Sequence, residues 1–172
     1  VGGTARSNLA AVDATSGALL SGWAPAANDL VKAVDMAADG TKVYVAGNFT
    51  TIDGASHRHV AALDPTTGAA ISSFSHGLSY AVVDMAVDAS GVFIAGAGGG
   101  GNFADLNLTT GAMVWQGGTD GNVQAIATLD GIVYVGGHYD NYCGMQGGQH
   151  TCTTSIQRDK LLAVDEVTGT LQ

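Results

Sequence analysis

The feature of this sequence that most limits its fold is a turn motif that occurs four times. In each copy an Asp or Asn stands four residues before a Gly and directly after a short, Ala-containing apolar stretch. The first residue can accept hydrogen bonds from backbone N–H groups, and the Gly can adopt the positive φ that closes a hairpin. The motif therefore predicts four structural turns, which run from Asp13 to Gly17, Asp64 to Gly68, Asn107 to Gly111 and Asp165 to Gly169.

The turn belongs to a longer repeat. After it come an aromatic residue, an apolar segment, a second tight turn and a segment rich in β-branched residues, which occupies 43–47, 92–96 and 133–137. Runs of this kind indicate strands that are buried on both faces. The turn glycines are 51, 43 and 58 residues apart. Four strands at intervals of about 40–50 residues are typical of the blades of a β-propeller.

We therefore predict an all-β fold of β-propeller blades, each with four antiparallel strands. The chain 1–172 contains about three full repeats, with partial blades at both ends, and divides into units 6–57, 58–101 and 102–157 and a partial unit 158–172. Residues 1–3 align with the end of the β-branched segment, so we expect the chain to begin inside a strand. Since a closed ring needs about 4–8 blades, the remaining blades of the same chain, or neighbouring copies, are expected partners.

Composition narrows the range of other partners. Lys and Arg total 6 against 15 Asp and Glu, which gives a formal net charge of −9. A surface of this charge repels a phosphate backbone, so we expect neither nucleic acid nor an anionic membrane as a partner. No apolar run approaches the roughly 20 residues that a membrane-spanning helix needs.

The repeats differ mainly in one loop. In the middle repeat residues 97–101 replace the loop that spans 48–58 in the first, and the last repeat carries an insertion with Cys143 and Cys152. These cysteines can form a disulfide, or they can join His138 and His150 as metal ligands. We favour the disulfide, which indicates an oxidising compartment and hence an extracellular or cell-surface protein.

Asp35 and Asp84 are candidates for lining a central channel. Both occur in the tripeptide Val-Asp-Met on the first strand of a repeat, and we take them as equivalent. A ring of carboxylates could bind a cation such as calcium, whereas isolated carboxylates would accept backbone N–H bonds. The third repeat has Ala127 in this place, which favours the second interpretation. We predict no other metal site, no cofactor and no catalytic residue.

Two further sets of residues recur with the repeat. An Arg precedes three of the four Ala-containing strands, and we expect it to pair with a turn carboxylate, as in Arg6 with Asp13, Arg58 with Asp64 and Arg158 with Asp165. An aromatic residue follows each turn, and we expect it to pack between blades rather than to form a sugar-stacking platform. These aromatic residues are Trp23, Phe74 and Trp115.

The segments 61–68 and 104–115 resemble the repeats of PQQ-type propellers. The longer pattern in 43–54 and 58–64 is more similar to the delta-60 type repeat propellers of secreted bacterial proteins, whose function is mostly unassigned. The resemblance implies a secreted propeller. Quinoprotein dehydrogenases bind their cofactor with the help of a vicinal disulfide, and because Cys143 and Cys152 are not adjacent, the resemblance does not extend to that cofactor.

These observations favour a non-enzymatic extracellular propeller that acts as a structural scaffold or binds a protein or a glycan through its loops, with 138–157 as the candidate loop. The sequence contains no Gly-x-Ser-x-Gly, no His-Glu-x-x-His and no phosphate-binding loop before a helix. The alternative is the propeller portion of a larger secreted enzyme, carbohydrate-active or quinone-dependent, whose catalytic residues lie outside this segment.

Overall fold

The computed structural model describes residues 3–98, 100–144, 152 and 155–172. These residues form strands, turns and irregular segments without a helix, which confirms the all-β prediction. No helix of a length and hydropathy suited to crossing a membrane is found in this part of the chain. The prediction that the chain begins inside a strand concerns residues 1–3, of which 1 and 2 lie outside the described residues.

The first sheet has strand order β1-β2-β5, with a small two-stranded hairpin β3-β4 inserted between its last two strands. All neighbouring strands are antiparallel. The bounds are β1 (Val31–Met36), β2 (Val43–Gly47), β3 (Thr51–Ile52), β4 (Ala55–Ser56) and β5 (Val60–Leu63). A bridge between Leu63 and Ala70 starts a fourth strand, and a bridge between Val12 and Leu19 forms a hairpin that precedes this sheet.

The middle sheet has four antiparallel strands in sequence order. They are β6 (Val82–Val87), β7 (Val92–Gly96), β8 (Asn102–Leu106) and β9 (Met113–Gly118). The sheet thus combines the last two strands of the sequence unit 58–101 with the first two of the unit 102–157. The sheet therefore has the repeat length of the sequence units, but it begins at the third strand of one unit and ends at the second strand of the next.

The third sheet follows the plan of the first. Its strand order is β10-β11-β14, and a small hairpin β12-β13 again lies between its last two strands. The strands are β10 (Asn122–Leu129), β11 (Ile132–His138), β12 (Asn141–Tyr142), β13 (Ile156–Gln157) and β14 (Leu161–Asp165). A bridge between Val164 and Leu171 starts the fourth strand. In all three sheets the first strand carries an irregularity in register at its start, after Val31, Val82 and Val123.

The core consists of three apolar layers between successive elements. One layer joins the N-terminal hairpin to the first sheet, the next joins the first sheet to the middle sheet, and the last joins the middle sheet to the third. Strands β2, β5 and β7 are buried at every residue because they are covered on both faces. The β-branched segments at 43–47 and 92–96 predicted this burial.

The far face of the third sheet is uncovered. Tyr44 and Phe93 are fully buried between sheets, whereas Tyr134, at the same position of the third sheet, is 40% exposed. The third strands show the same contrast. Phe103 in β8 is fully buried, whereas its counterpart Leu161 in β14 is 61% exposed. The third sheet therefore presents the apolar face that the first two sheets bury against their neighbours.

Candidate functional site

A cavity of about 440 Å³ lies at one end of the middle sheet. Its walls come from the segment that enters β6, the turn after β7, the start of β8 and the outer strand β9. Its volume falls within the range of roughly 300–1,000 Å³ that is usual for small-molecule pockets. The lining residues are His76, Gly77, Leu78, Ser79, Tyr80, Ala97, Gly98, Asn102, Met113 and Gln116.

The cavity exists because the middle repeat has the shortest loop. In the first repeat the loop 48–58 pairs with the segment that enters β1, through a bridge between Ala27 and Ile52. In the third repeat Thr119 and Tyr142 form the corresponding bridge. Ala27 and Thr119 each lie four residues before the Val at which the first strand shifts register, as Leu78 does in the middle repeat. The short segment 97–101 leaves that place open.

Aromatic and aliphatic side chains occupy the corresponding place in the outer repeats. Phe49 and Ile52 are fully buried against the first sheet, and Tyr139 and Tyr142 are buried against the third. The middle repeat has no equivalent side chain among its described residues. The cavity is therefore a specific departure from the repeat.

A pair of side-chain amides forms the polar part of the wall. Gln116 Nε2 donates a hydrogen bond to Asn102 Oδ1 over 2.9 Å. Asn102 Nδ2 in turn donates to the carbonyl of Gly100 over 3.4 Å. The carbonyl oxygen of Gln116 has no protein partner in this arrangement, so that the pair can still hydrogen-bond a ligand.

Tyr80 closes the inner side of the cavity by packing over Gly96. A Cβ atom at Gly96 would lie 2.5 Å from the ring of Tyr80, so only Gly fits under the ring. The Tyr80 hydroxyl is buried without a hydrogen-bond partner. Burial raises the pKa of Tyr80 to about 12, which keeps the phenol neutral.

Asp35 and Asp84 lie between sheets, where each accepts a backbone N–H from the following sheet. Asp35 Oδ2 accepts from Val87 N over 2.8 Å, and Asp84 Oδ2 accepts from Ile126 N over 3.0 Å. Cation binding by these residues stays a prediction. Within the described residues no group of three or more His, Cys, Asp or Glu comes together to hold a metal.

The assumed equivalence of Asp35 and Asp84 is wrong. Asp35 pairs with Tyr44, whereas Asp84 pairs with Ala95, which corresponds to Ala46 in the first sheet. The two carboxylates are therefore two positions apart along the strand. The reason is the hairpin loop, which contains residues 37–42 in the first sheet and only 88–91 in the middle sheet.

The four repeated turns share one geometry. In each, the Oδ1 atom of the first residue accepts backbone N–H bonds from the residues two and three positions later, and a hydroxyl bond from the latter. These first residues are Asp13, Asp64, Asn107 and Asp165. The closing glycines have φ between 68° and 78° and are Gly17, Gly68, Gly111 and Gly169.

The expected Arg pairs are wrong. Arg6 donates to the carbonyls of Ala5 and Ser21, and Arg158 donates to the carbonyl of Gln157. In each turn carboxylate Oδ1 accepts the bonds of the turn, and no Arg forms an ion pair among the described residues. The ion pair present in the described part of the chain joins Lys160 to Asp140.

The repeated aromatic residues pack between sheets, as predicted. Phe74 is fully buried and contacts the Tyr44 ring edge-on at a centroid distance of 5.4 Å. The indole N–H groups of Trp23 and Trp115 donate to the carbonyls of Asp64 and Glu166, respectively. Because these groups are committed to the protein, they do not form a platform for sugars.

The predicted disulfide between Cys143 and Cys152 is present, with a Cα–Cα distance of 4.7 Å. The candidate binding loop 138–157 is described only in part, since residues 145–151, 153 and 154 lie outside the described residues, His150 among them. The described portion forms the short hairpin β12-β13.

A buried carboxylate between the middle and third sheets was not predicted. Asp105 is 4% exposed and its Oδ1 has no hydrogen-bond partner. Burial raises its pKa to about 7, with further contributions from the charges of Asp88 and Glu166, and the N–H groups of Val92 and Leu106 oppose this effect.

The sequence signals that could have revealed both features are departures from the repeat. At the position of Asp105 the first and third sheets have Ala62 and Ala163. At the position of Tyr80, two residues before the first paired Val, the other repeats have Asp29 and Gly121. The shortened loop is visible in the sequence, whereas the cavity that it leaves depends on how the chain folds.

Comparison with solved structures decides the architecture. The WD40 domain of Neurospora crassa Pan2 matches with a TM-score of 0.61 at 14% identity, over 92% of this chain and 44% of that one. The computationally designed Ika8 protein matches with a TM-score of 0.60 at 18% identity, over 97% of this chain and 55% of that one. The fold is a β-propeller. Each of the three main sheets described above is a propeller blade.

The computationally designed Ika4 protein also matches, with a TM-score of 0.56 at 17% identity, over 84% of this chain and 71% of that one. No family model and no curated protein matches the sequence. The chain spans about half the length of the Pan2 and Ika8 chains. At these identities the likeness shows the propeller fold.

Proposed function

We propose that this chain is part of a non-enzymatic, extracellular β-propeller that binds a protein or glycan partner at the pocket of the middle blade. The observation that carries the proposal is the 440 Å³ cavity, which opens where both neighbouring repeats place a loop. Its wall contains hydrogen-bonding groups that the protein leaves unused. Propeller loops that differ between repeats are the usual carriers of binding specificity.

The extracellular setting is supported by the disulfide between Cys143 and Cys152, since such bonds persist in oxidising compartments. We assign the chain to the delta-60 or PQQ-like group of secreted repeat propellers on the motifs in 43–64 and 104–115. Binding needs no cofactor in this proposal, because amide, hydroxyl and imidazole groups can contact a ligand directly. Calcium binding at the inter-blade carboxylates is tested by incubation of the protein with calcium.

The third blade supplies a second partner surface. Its uncovered face carries Tyr134 and Leu161 at positions that are buried in the other two blades. We propose that it packs against a further propeller blade, from the remainder of the same chain or from a neighbouring copy. The apolar character of this face matches that of the blade faces buried within the chain.

A loop graft tests the binding function. Replacing residues 97–101 with the sequence of 48–58 should fill the pocket with the counterparts of Phe49 and Ile52 while keeping the blade, because the first blade accepts that loop. We expect the graft to abolish the capture of ligands from glycan and peptide arrays. Alanine substitutions across the described part of 138–157 form the comparison, because that loop was the other candidate.

Retained capture by the grafted protein would overturn the assignment of binding to the pocket. Incubation with PQQ and calcium, followed by difference spectroscopy and a dye-reduction assay, addresses the alternative of an enzyme. Turnover in that assay would replace the non-enzymatic proposal.

A further inference from the structure

We propose that the pocket of the middle blade takes a neutral, hydroxyl-rich ligand, namely a glycan residue. This inference rests on the proposed binding function and gives its ligand class. None of the ten described lining residues is Asp, Glu, Lys or Arg, although the chain carries a net charge of −9. A charged ligand would therefore lose its hydration without gaining a partner of opposite charge.

The hydrogen-bonding groups of the pocket match hydroxyls. A hydroxyl donates one hydrogen bond and accepts others, and a side-chain amide offers both functions side by side. Gln116 donates one N–H to Asn102, which leaves its carbonyl oxygen and its second N–H available to a ligand. Ser79 and His76 line the same cavity without a hydrogen bond to the protein, so that they add further donors and acceptors.

The apolar part of the wall suits the C–H face of a sugar ring. Leu78 and Met113 line the cavity beside the amides, which places polar and apolar surface within one small volume. A purely apolar ligand would leave the amides without partners, which disfavours its binding.

An extended peptide fits this site less well. Peptides that bind to sheets usually pair with an unoccupied strand edge. Asn102 lies on β8, which pairs with β7 on one side and with β9 on the other, so this strand offers no free edge. Seven of the ten described lining residues lie in loops rather than on a strand, and the cavity is compact, at about 440 Å³.

An array experiment with the 172-residue chain tests the ligand class. The array presents neutral hexose and N-acetylhexosamine oligosaccharides, their sulfated forms and a peptide library. We expect retention on neutral glycans and not on the sulfated forms. Gln116→Met should weaken binding of a retained glycan at least tenfold, because it keeps side-chain length and removes the amide. Gln124→Met, the same change at an exposed position of β10, should leave binding unchanged.

Ser79→Asp provides a second variant, because Ser79 is exposed and the substitution leaves the core intact. It should weaken glycan binding at least threefold, since it places a carboxylate at the rim of a neutral pocket. Thermal melts followed by circular dichroism verify folding of each variant. Retention of peptides alone would overturn the glycan proposal and leave the binding function standing. Unchanged glycan affinity in both pocket variants would overturn the glycan proposal together with the assignment of binding to this pocket. If neither glycans nor peptides are retained, both proposals fall.

Discussion

At the scale of single residues, Asp105 is the clearest exception to the repeat. Its carboxylate is buried between the middle and third blades, where the other blades have Ala62 and Ala163. Gly91 makes room for it, because a Cβ atom at Gly91 would lie 2.0 Å from Asp105 Oδ1. Gly91 directly precedes the apolar run of the second strand of its blade. In the first and third blades this position is occupied by Lys42 and Ile132.

The raised pKa of Asp105 predicts a pH-dependent stability. Its pKa is about 7 in the folded chain against an ordinary value of 3.8 for Asp, so the folded state holds the proton more tightly. Its contribution to stability is therefore fully present below about pH 4 and is lost as the pH rises through about 7. We expect Asp105→Ala to raise the free energy of unfolding at pH 8 by roughly 1–3 kcal/mol and to have little effect at pH 4.

Urea unfolding at a series of pH values, followed by tryptophan fluorescence, measures this difference. Asp159→Ala, at an exposed site, serves as the control and should give a profile parallel to that of the wild type. A variant Asp105→Ala that is less stable than the wild type at pH 8 would contradict the prediction.

Gly91 and Asp105 should be energetically coupled. Gly91→Ala alone should destabilise the fold by roughly 1–3 kcal/mol, because its methyl group overlaps the Asp105 carboxylate. In the Asp105→Ala background the same change should cost little, since the obstructing oxygen is gone and Gly91 has no positive φ. A double-mutant cycle measures the coupling. Equal costs in both backgrounds would refute it.

At the scale of strands and hairpins, the blades are joined by carboxylates on their first strands. Asp35 reaches from β1 to the backbone of Val87 in β6, and Asp84 reaches from β6 to Ile126 in β10. Both bonds cross the interface between blades. They fix the position of one blade along the next, since each acceptor meets one particular N–H group.

Asp35→Ala tests the contribution of such a bond. Asp35 accepts from its neighbour Met36 and from Val87, whereas Asp29 accepts only from its neighbour Leu30. We expect Asp35→Ala to lower the free energy of unfolding by roughly 1–3 kcal/mol, because the Val87 N–H loses its partner at a partly buried site. Asp29→Ala, as the matched control, should change it by less than about 0.5 kcal/mol. Equal effects of the two substitutions would show that the inter-blade bond contributes nothing.

At the scale of the whole molecule, the row of blades ends in an apolar surface. Tyr134 is 40% and Leu161 is 61% exposed on the uncovered face of the third blade. Exposed apolar patches of this kind drive association. We expect the 172-residue chain to self-associate with increasing concentration, and Leu161→Glu to suppress this.

Sedimentation velocity over a range of protein concentrations measures the association. Val167→Glu is the control, because Val167 is 69% exposed in a turn and lies away from the sheet face. Association that persists in Leu161→Glu, or that is lost equally in Val167→Glu, would show that another surface is responsible.

The sequence predicts the blades well because their signals are local. A turn such as Asp64 to Gly68 needs only a short side-chain acceptor and a positive φ, and the buried strand 92–96 needs only a run of β-branched and aromatic residues. The disulfide could be predicted in the same way, because Cys143 and Cys152 are the two cysteines of the sequence. Each of these features depends on residues close together in the chain.

The candidate site could not be predicted in this manner. The cavity depends on a loop that the middle repeat lacks, and its amide pair joins β8 to β9 across a register that the sequence does not specify. The same limitation produced the wrong alignment of Asp35 with Asp84. Their shared tripeptide suggested equivalence, whereas a hairpin loop two residues longer moved one of them along its strand.

The contact between Gly91 and Asp105 affects which strands pair with each other while the chain folds. Near-identical repeats invite strand exchange, in which a strand of one blade inserts into the place of its counterpart in another. Strand β8 cannot make this exchange freely. In the first blade its carboxylate would face Lys42 and in the third Ile132, and only Gly91 leaves space for it. One buried carboxylate thus distinguishes the middle blade from its neighbours while the protein folds.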